Sequence, residues 1–167
     1  MRNEITEVDI KKIKEELEHR KKVLAPELHA EVKRTREYGD LSENDEYRTA
    51  KRERNKNESR IRYLERLLLT ATVVDTSRRG AGISLFDIIE YVNEETGAEK
   101  RIQLVTSLRQ DALRGFISKD SPLGAALMGK KVGDRLQIET PTGKKYFITV
   151  KSVEAGADNE DLPISRF

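Results

Sequence analysis

The chain has no cysteine and no long apolar run, and both absences limit what it can be. Without cysteine it can form neither a disulfide framework nor a thiolate metal site. A membrane-spanning helix needs roughly 18 or more apolar residues in succession, and the sequence contains no such run. The first residues, MRNEITEVDIKK, also lack the apolar centre of a signal peptide. We therefore expect a cytoplasmic protein that does not enter a membrane.

Apolar and aromatic residues are scarce for a chain of this length. Of the 167 residues, 36% are hydrophobic, 5% are aromatic and none is Trp, whereas 37% are charged. That composition is typical of an elongated part with a thin core joined to a small globular part. The formal net charge is only +2, so an electrostatic function must depend on the local pattern of charge.

Glycine and proline are nearly absent from the first part of the chain, which predicts two long helices. Residues 6–70 contain one proline, Pro26, and one glycine, Gly39. We expect Pro26 to distort the first helix without ending it, and Gly39 to lie where the chain turns into the second helix. Apolar spacings of three and four predict an antiparallel coiled coil over residues 1–75. In the second helix the predicted seam consists of Tyr47, Ala50, Arg54, Asn57, Ile61, Leu64 and Leu68.

The composition changes after Asp75. We interpret residues 76–82, which include SRRGAG, as a linker. Residues 83–154 alternate short β-branched and aromatic segments with Gly-containing turns, which predicts a small α+β domain. The polar residues 155–167 are interpreted as a loose C-terminal tail. The predicted fold class is therefore α+β in two domains, with a helical coiled coil before a small sheet-containing domain.

Five carboxylates gather at the predicted turn between the helices. The segment EYGDLSENDEY, residues 37–47, has five acidic residues and no basic one. Helix capping explains part of this pattern, because Asp40 with Glu43, and Ser42 with Asp45, have the spacing of a capping box. One helix start uses only one such box, so the remaining acids favour another role. Asp40 and Glu43 could supply a partial Mg²⁺ site that a second protein and phosphate oxygens complete.

A basic stretch follows the acidic turn directly. From Arg48 to Arg66 there are eight Lys or Arg residues and three Glu residues. A stripe of this kind can bind nucleic-acid phosphates without reading the base sequence. The alternative is a solvated helix face with ion pairs at i,i+4 spacing, such as Glu58 with Arg62.

The turn segment resembles the tip motif of the bacterial Gre-type transcript cleavage factors. The motif of that family, G-D-L-x-E-N-x-E-Y, is present here as GDLSENDEY, residues 39–47. The resemblance continues through SRIRYLERLLLTATVVD and returns in SPLGAALMGKKVGDRLQIETPTGKKYFITVKSVE, with the order and spacing of the GreA branch. It covers most of the chain, and two separate segments agree with the motif.

The resemblance implies a fold and a mechanism. The fold would be an antiparallel helical coiled coil with a C-terminal FKBP-like domain, and the coiled coil would enter the secondary channel of RNA polymerase. There Asp40 and Glu43 would help to hold a second Mg²⁺ and an attacking water at the polymerase's own active site. The 3′ end of a backtracked RNA would then be hydrolysed. The chain would be an accessory factor rather than an enzyme, and in isolation it would bind no metal.

The resemblance also implies partner-binding residues outside the acidic turn. Those implied in binding backtracked RNA are basic and lie close to the tip: Arg36, Arg48, Lys51, Arg52, Arg54, Lys56 and Arg60. Those implied in docking on the polymerase form one loop of the second domain: Asp120, Ser121, Pro122 and Leu123. A simpler interpretation of this loop is a turn into a short helix, because Pro favours the first helical position. We expect the factor to act as a monomer.

Two segments depart from the family pattern, and two other functions stay open. LVTSLRQDALRGFISKD, residues 104–120, lacks the Gly-rich turn of the family, and the tail extends past the usual end.

A Gre-like paralogue could occupy the channel and inhibit the polymerase without cleavage, although the presence of both Asp40 and Glu43 argues against this. A coiled-coil adaptor or a prolyl isomerase is the alternative from another class, but few aromatic residues are present to form a proline pocket.

Overall fold

The computed structural model describes residues 3–37, 39 and 44–165. Contacts between residues divide the chain into two compact units. The first comprises Met1–Asn3 and Ile10–Ala71, and the second comprises Glu4–Asp9 and Thr72–Phe167. The predicted linker, residues 76–82, therefore belongs to the second unit. Among the described residues, no helix is both long and apolar enough to cross a bilayer.

The first unit is a helical hairpin. One arm contains α1, Glu7–His19, then a π-helical segment, Arg20–Leu24, and then α2, Ala25–Arg36; the first three residues of α1 belong to the second unit. The other arm is α3, Asp45–Thr70. Helices α2 and α3 pack against each other, which agrees with the predicted pair of long antiparallel helices.

Pro26 is the second residue of α2, and only Ala25 separates it from the π-helical segment. Proline has no N–H, and in a regular helix its ring collides with the carbonyl group four residues earlier. The wider π-turn accommodates this, because Ala25 donates its N–H to the carbonyl of Arg20, five residues back. The helix continues through Pro26 as predicted, but the irregularity lies in the turn before the proline.

The buried stripe of α3 differs from the predicted seam in its second half. Ala50, Asn57 and Leu64 are buried, in agreement with a heptad repeat. The other buried positions are Arg60 and Leu67, however, and not the predicted positions 61 and 68. The buried residues of this half, Asn57, Arg60, Leu64 and Leu67, follow one another at spacings of three, four and three, so the buried line lies one position earlier than the predicted seam.

Two very short strands join residues that precede and follow the hairpin in sequence. Strand β1, Glu4–Ile5, pairs in parallel with β2, Thr72–Val73. Val74 donates its N–H to the carbonyl of Ile5. Both strands belong to the second unit.

The second unit is built on a five-stranded sheet. Its strands are β3 (Ile88–Asn93), β4 (Glu99–Val105), β5 (Phe116–Ser118), β6 (Arg135–Glu139) and β7 (Lys145–Glu154). The spatial order is β5-β4-β3-β7-β6. All neighbouring strands are antiparallel except β4 and β5, which are parallel. A short helix, α4 (Pro122–Leu127), packs against β6, so the predicted α+β fold class is confirmed.

The core of this unit follows from the alternation of apolar residues along the strands. Alternate side chains of a strand point to opposite faces of a sheet, and in β6 only Leu136 and Ile138 are buried. They pack with Ile89, Leu104 and other strand residues, together with Leu127 of α4, in one cluster. The short strands β1, β2 and β5 were not predicted, because segments of two or three residues carry no alternation.

The C-terminal residues pack on the sheet unit, so the prediction of a loose tail is wrong for residues 155–165. Leu162 is 4% exposed and shares a cluster with Phe86 and Val105. Gly156 approaches the carbonyl of Phe86 so closely that a Cβ atom would lie 2.0 Å from that oxygen. The tail is therefore a packed part of the second unit.

A buried arginine joins this tail to the start of α1. Arg109 is 1% exposed, and its guanidinium donates hydrogen bonds to the carboxylates of Asp9 and Asp158. It also donates to the carbonyl of Asn159 at 2.6 Å. Asp9 accepts a further hydrogen bond from Oγ1 of Thr106 at 2.9 Å. Buried charges persist when they are paired, and this network links both segments that depart from the family pattern.

Candidate functional site

The predicted metal-binding pair, Asp40 and Glu43, lies outside the described residues, as do Tyr38, Leu41 and Ser42. The structure describes the residues on both sides of this pair. Gly39 has a φ of 100°, a backbone conformation that glycine adopts without strain. The chain therefore turns at Gly39, as its position in the sequence predicted.

Asn44 is the N-cap of α3. Its Oδ1 accepts a hydrogen bond from the N–H of Tyr47 at 3.0 Å, and its carbonyl accepts the N–H of Arg48 at 3.1 Å. The helix begins at Asp45, and Asn44 is its N-cap. The predicted capping boxes at Asp40 and Ser42 lie outside the described residues. The sequence signal was present, because Asn is among the best N-cap residues.

The same side chain also contacts the other arm. Nδ2 of Asn44 donates a hydrogen bond to the carbonyl of Thr35 at 2.8 Å. Thr35 lies in the last turn of α2 and is fully buried. The amide of Asn44 thus connects the end of α2 with the start of α3.

The described acidic residues of the turn are exposed. The side chain of Asp45 is 93% exposed and lies 3.8 Å from Arg48. Glu46 lies 3.8 Å from Arg34 of α2. Among the described residues, no group of three or more potential metal ligands occurs.

Most of the predicted RNA-binding residues form an exposed basic face beside the turn. We call this group the basic face; its members are Arg36, Arg48, Lys51, Arg52 and Lys56, all exposed. The two lysines make long contacts. Lys56 lies 4.0 Å from Glu53, and the ammonium group of Lys51 lies 5.3 Å from the ring centre of Tyr47. An exposed ion pair as long as that of Lys56 contributes little energy.

Arg54 and Arg60 lie differently from the basic face. The Arg54 side chain is 29% exposed and lies 3.7 Å from Glu58. Arg60 is buried in the hairpin: its Nε donates to Oε1 of Glu16 at 2.9 Å and one of its terminal nitrogens donates to Oε2 at 3.2 Å. The predicted contact of Arg60 with RNA therefore conflicts with its position, because the guanidinium already neutralises a carboxylate of α1.

Glu16 holds a second arginine as well. Nε of Arg20 donates to Oε1 of Glu16 at 2.7 Å, and a terminal nitrogen of Arg20 donates to Asn57 at 2.9 Å. Burial alone would raise the pKa of Glu16, but the hydrogen bonds from Arg60 and Arg20 outweigh burial and hold this pKa below its usual value. These hydrogen bonds among Glu16, Arg20, Asn57 and Arg60 lie where a regular coiled coil would have contacts between apolar side chains.

The predicted docking loop is a well-defined turn into α4. Oγ of Ser121 accepts the N–H of Gly124 at 3.0 Å and donates to the carbonyl of Ser118 at 2.7 Å, so Ser121 is the N-cap. Pro122 follows at the first helical position, as predicted. The carboxylate of Asp120 accepts a hydrogen bond from Oγ of Ser107 at 2.8 Å, and this bond lowers the pKa of Asp120 despite the opposing effect of partial burial.

An apolar cavity adjoins this loop. Its volume is about 270 Å³, and Ser121, Pro122 and Leu123 form part of its lining. The remaining lining is mainly apolar and comes from the strands and the β6–β7 turn: Phe116, Ile117, Ile138, Pro141 and Tyr146. The loop and the cavity form one surface with polar groups beside an apolar depression, which suits contact with another protein.

Both parts of the chain match one family of proteins. Residues 3–73 match the family described as "Transcription elongation factor, N-terminal", and residues 82–155 match that described as "Transcription elongation factor, GreA/GreB, C-term". The chain belongs to the GreA/GreB family of transcription elongation factors. The matched residues end at 155, so most of the packed tail lies beyond them.

Individual relatives agree with this assignment. The transcription elongation factor GreA of Thermotoga neapolitana is 36% identical over 147 residues, which cover 88% of this chain and 94% of that protein. GreA of Xylella fastidiosa is 36% identical over 152 residues, covering 90% of this chain and 96% of that protein. Among solved structures, GreA factor homolog 1 (Gfh1) of Thermus thermophilus is 26% identical, with a TM-score of 0.43 and coverage of 93% and 100%. The resemblance to GreA is confirmed by the sequence matches.

Proposed function

We propose that the chain enters the secondary channel of RNA polymerase and stimulates hydrolysis of the 3′ end of backtracked RNA, which rescues arrested complexes. The observation that carries this proposal is the segment GDLSENDEY, residues 39–47, between two long packed helices. Relatives named transcription elongation factor GreA, matched over nearly their whole length, support it. We further propose that it acts as a monomer in the cytoplasm, where bacterial RNA polymerase works.

Asp40 and Glu43 are the residues that would hold a Mg²⁺ ion shared with the polymerase. The donor set fits this ion, because Mg²⁺ is bound by one or two carboxylates together with waters and substrate phosphates. When bound, the ion would activate water and stabilise negative charge on the scissile phosphate. Two carboxylates make an incomplete site, so the chain would be an accessory factor and the polymerase would supply the remaining ligands.

The basic face would hold the extruded RNA. Arg36 directly precedes the acidic turn, the other four residues follow it from Arg48 onward, and all five side chains are exposed. Contacts to phosphates give affinity without sequence preference, as a factor that acts on any arrested transcript requires. Arg54 is a weaker candidate because it is half-buried beside Glu58, and Arg60 is left out of this role because it is buried against Glu16.

Docking on the polymerase would use the loop Asp120–Leu123 and the cavity beside it. The cavity is open to an apolar side chain, and the carboxylate of Asp120 remains half-exposed at its side. A buried apolar anchor beside a polar group is the usual composition of an interface centre and its rim. This contact would raise the local concentration of the hairpin at the channel.

The decisive experiment uses a stalled, backtracked polymerase–RNA complex labelled at the RNA 5′ end. Addition of the chain with Mg²⁺ should shorten the RNA from its 3′ end and restore elongation, and omission of Mg²⁺ should prevent both. The chain with RNA but without polymerase should cleave nothing, because its metal site is incomplete. Binding that inhibits synthesis without cleavage would instead identify a channel-blocking paralogue.

A further inference from the structure

One side chain connects both ends of the segment that carries the proposed metal ligands. Nδ2 of Asn44 donates to the carbonyl of Thr35 at 2.8 Å, and Oδ1 of Asn44 accepts from the N–H of Tyr47 at 3.0 Å. Thr35 and Asn44 are nine residues apart in sequence. Asp40 and Glu43 lie between them.

Both attachment points are held by their own helices. Thr35 is fully buried, and its Oγ1 donates to the carbonyl of Glu31 at 2.9 Å within α2. Its carbonyl lies in the last turn of the helix, where oxygens lack the usual intrahelical donors. On the other side, the cap on Tyr47 fixes the first turn of α3.

The amide suits this double contact because its donor and its acceptor are on two different atoms. Aspartate has acceptors only, and serine has its donor and acceptor on a single oxygen nearer the backbone, so each supplies an acceptor for the cap but not the separate amide donor. The capping bond and the cross-arm bond can therefore be separated by substitution. A residue needed only as a cap would tolerate serine or aspartate.

We propose that Asn44 is a positioning residue for transcript cleavage: its bond to Thr35 fixes the separation of the two helix ends between which Asp40 and Glu43 lie in sequence. This inference rests on the proposed function of that pair. Positioning matters because a misplacement of about 1 Å can cost roughly a hundredfold in rate. Asn44 touches neither substrate nor metal in this role and acts through the segment that it closes.

The activity test compares Asn44→Ser, Asn44→Asp and Asn44→Ala with the control Asn55→Ser. Asn55 is an exposed asparagine of α3, so the control makes the same change away from the turn. Asn44→Ser should lower the maximal cleavage rate at saturating factor by roughly tenfold, within the range that misplacement produces. The factor concentration for half-maximal effect should stay within about twofold of wild type, because docking is unchanged.

The other two variants distinguish the effect of the capping bond to Tyr47 from that of the bond to Thr35. Asn44→Asp should behave as Asn44→Ser does, since it keeps the cap and loses the donor to Thr35. Asn44→Ala should lose stability as well, because it removes both bonds. Wild-type maximal rates in both Asn44→Ser and Asn44→Asp would overturn the positioning role.

A second readout uses the isolated protein and does not depend on cleavage. The chain has no cysteine, so Glu37→Cys and Glu46→Cys introduce the only two sites for spin labels, one on each side of the turn. The distance distribution between the labels should be narrow with Asn44 and broader in Asn44→Ser, at unchanged helical content. An equally narrow distribution in Asn44→Ser would show that the bond from Asn44 to Thr35 does not fix the separation of the helix ends. This result does not depend on cleavage, so it tests the inference even if the proposed function is wrong.

Discussion

At the scale of single residues, neighbouring acids of the turn differ in what they can contribute. Asp45 begins α3, and its side chain is almost fully exposed. We predict that Asp40→Ala or Glu43→Ala lowers stimulated cleavage by roughly a hundredfold or more, since each removes one of the two proposed metal ligands. Polymerase binding should be retained. Asp45→Ala is the matched control and should have little effect; equal losses in all three variants would indicate a damaged turn.

Two arginines that the sequence placed in one stripe have opposite positions. Arg60 is buried against Glu16, whereas Arg52 is exposed. Arg60→Ala leaves the carboxylate without one of its partners and should lower the free energy of unfolding by about 2 kcal/mol. Arg52→Ala should change it by less than about 0.5 kcal/mol. Urea unfolding of both variants measures the difference, and similar stabilities would contradict the structural role of Arg60.

The same carboxylate predicts how stability depends on pH. Hydrogen bonds from Arg60 and Arg20 hold the pKa of Glu16 below its ordinary value of 4.5, despite the opposing effect of burial. A group whose pKa is lowered by folding adds stability above its unfolded pKa, and this stability is lost as the pH falls through the folded pKa. Unfolding midpoints measured from about pH 7 down to about pH 3 should therefore fall less steeply in Glu16→Gln than in wild type. Glu15→Gln makes the same change at the exposed neighbour and is the matched control.

At the scale of elements, local patterns predicted the strands and helices but not the polar contacts between distant segments. Alternation identified β6, because Leu136 and Ile138 face the core, and the scarcity of glycine and proline identified the long helices. Arg60 gave no sign of burial, because a charged residue in a basic stretch looks exposed until its partner on α1 is known. Arg109 and Asp158 are 49 residues apart in sequence, so no local rule connects them.

The packed tail gives a prediction at this scale. Leu162 is buried beside Phe86 and Val105, whereas Leu113 is fully exposed on the surface of the same unit. Leu162→Ala should lower the free energy of unfolding by about 2–4 kcal/mol, as usual for a leucine removed from a core. Leu113→Ala makes the identical change at an exposed site and should be nearly neutral. If denaturation gave equal stabilities for both variants, the tail would be only loosely attached in solution.

At the scale of the whole molecule, charge is segregated although the net charge is only +2. The five carboxylates of the acidic turn are close together in sequence and repel one another, and so do the cations of the basic face. A partner that supplies a cation to the turn and an anion to the basic face removes both repulsions. A metal ion and an RNA phosphate are such a pair, so the pattern of charge agrees with one reaction centre shared between this chain and the polymerase.

The basic face provides the last prediction. Replacing Arg52 and Lys56 together by Ala should reduce cleavage of long backtracked RNA more than of short RNA, because only a long extruded segment reaches these side chains. The loss should be partial, since Asp40 and Glu43 remain. The difference in cleavage rate between wild type and the double variant should become smaller as the salt concentration rises, because salt weakens contacts between basic side chains and phosphates. Cleavage rates for RNAs backtracked by increasing distances, at low and high salt, measure both effects. If the double variant cleaved long and short RNAs as wild type does at low salt, the basic face would be an ordinary solvated helix surface.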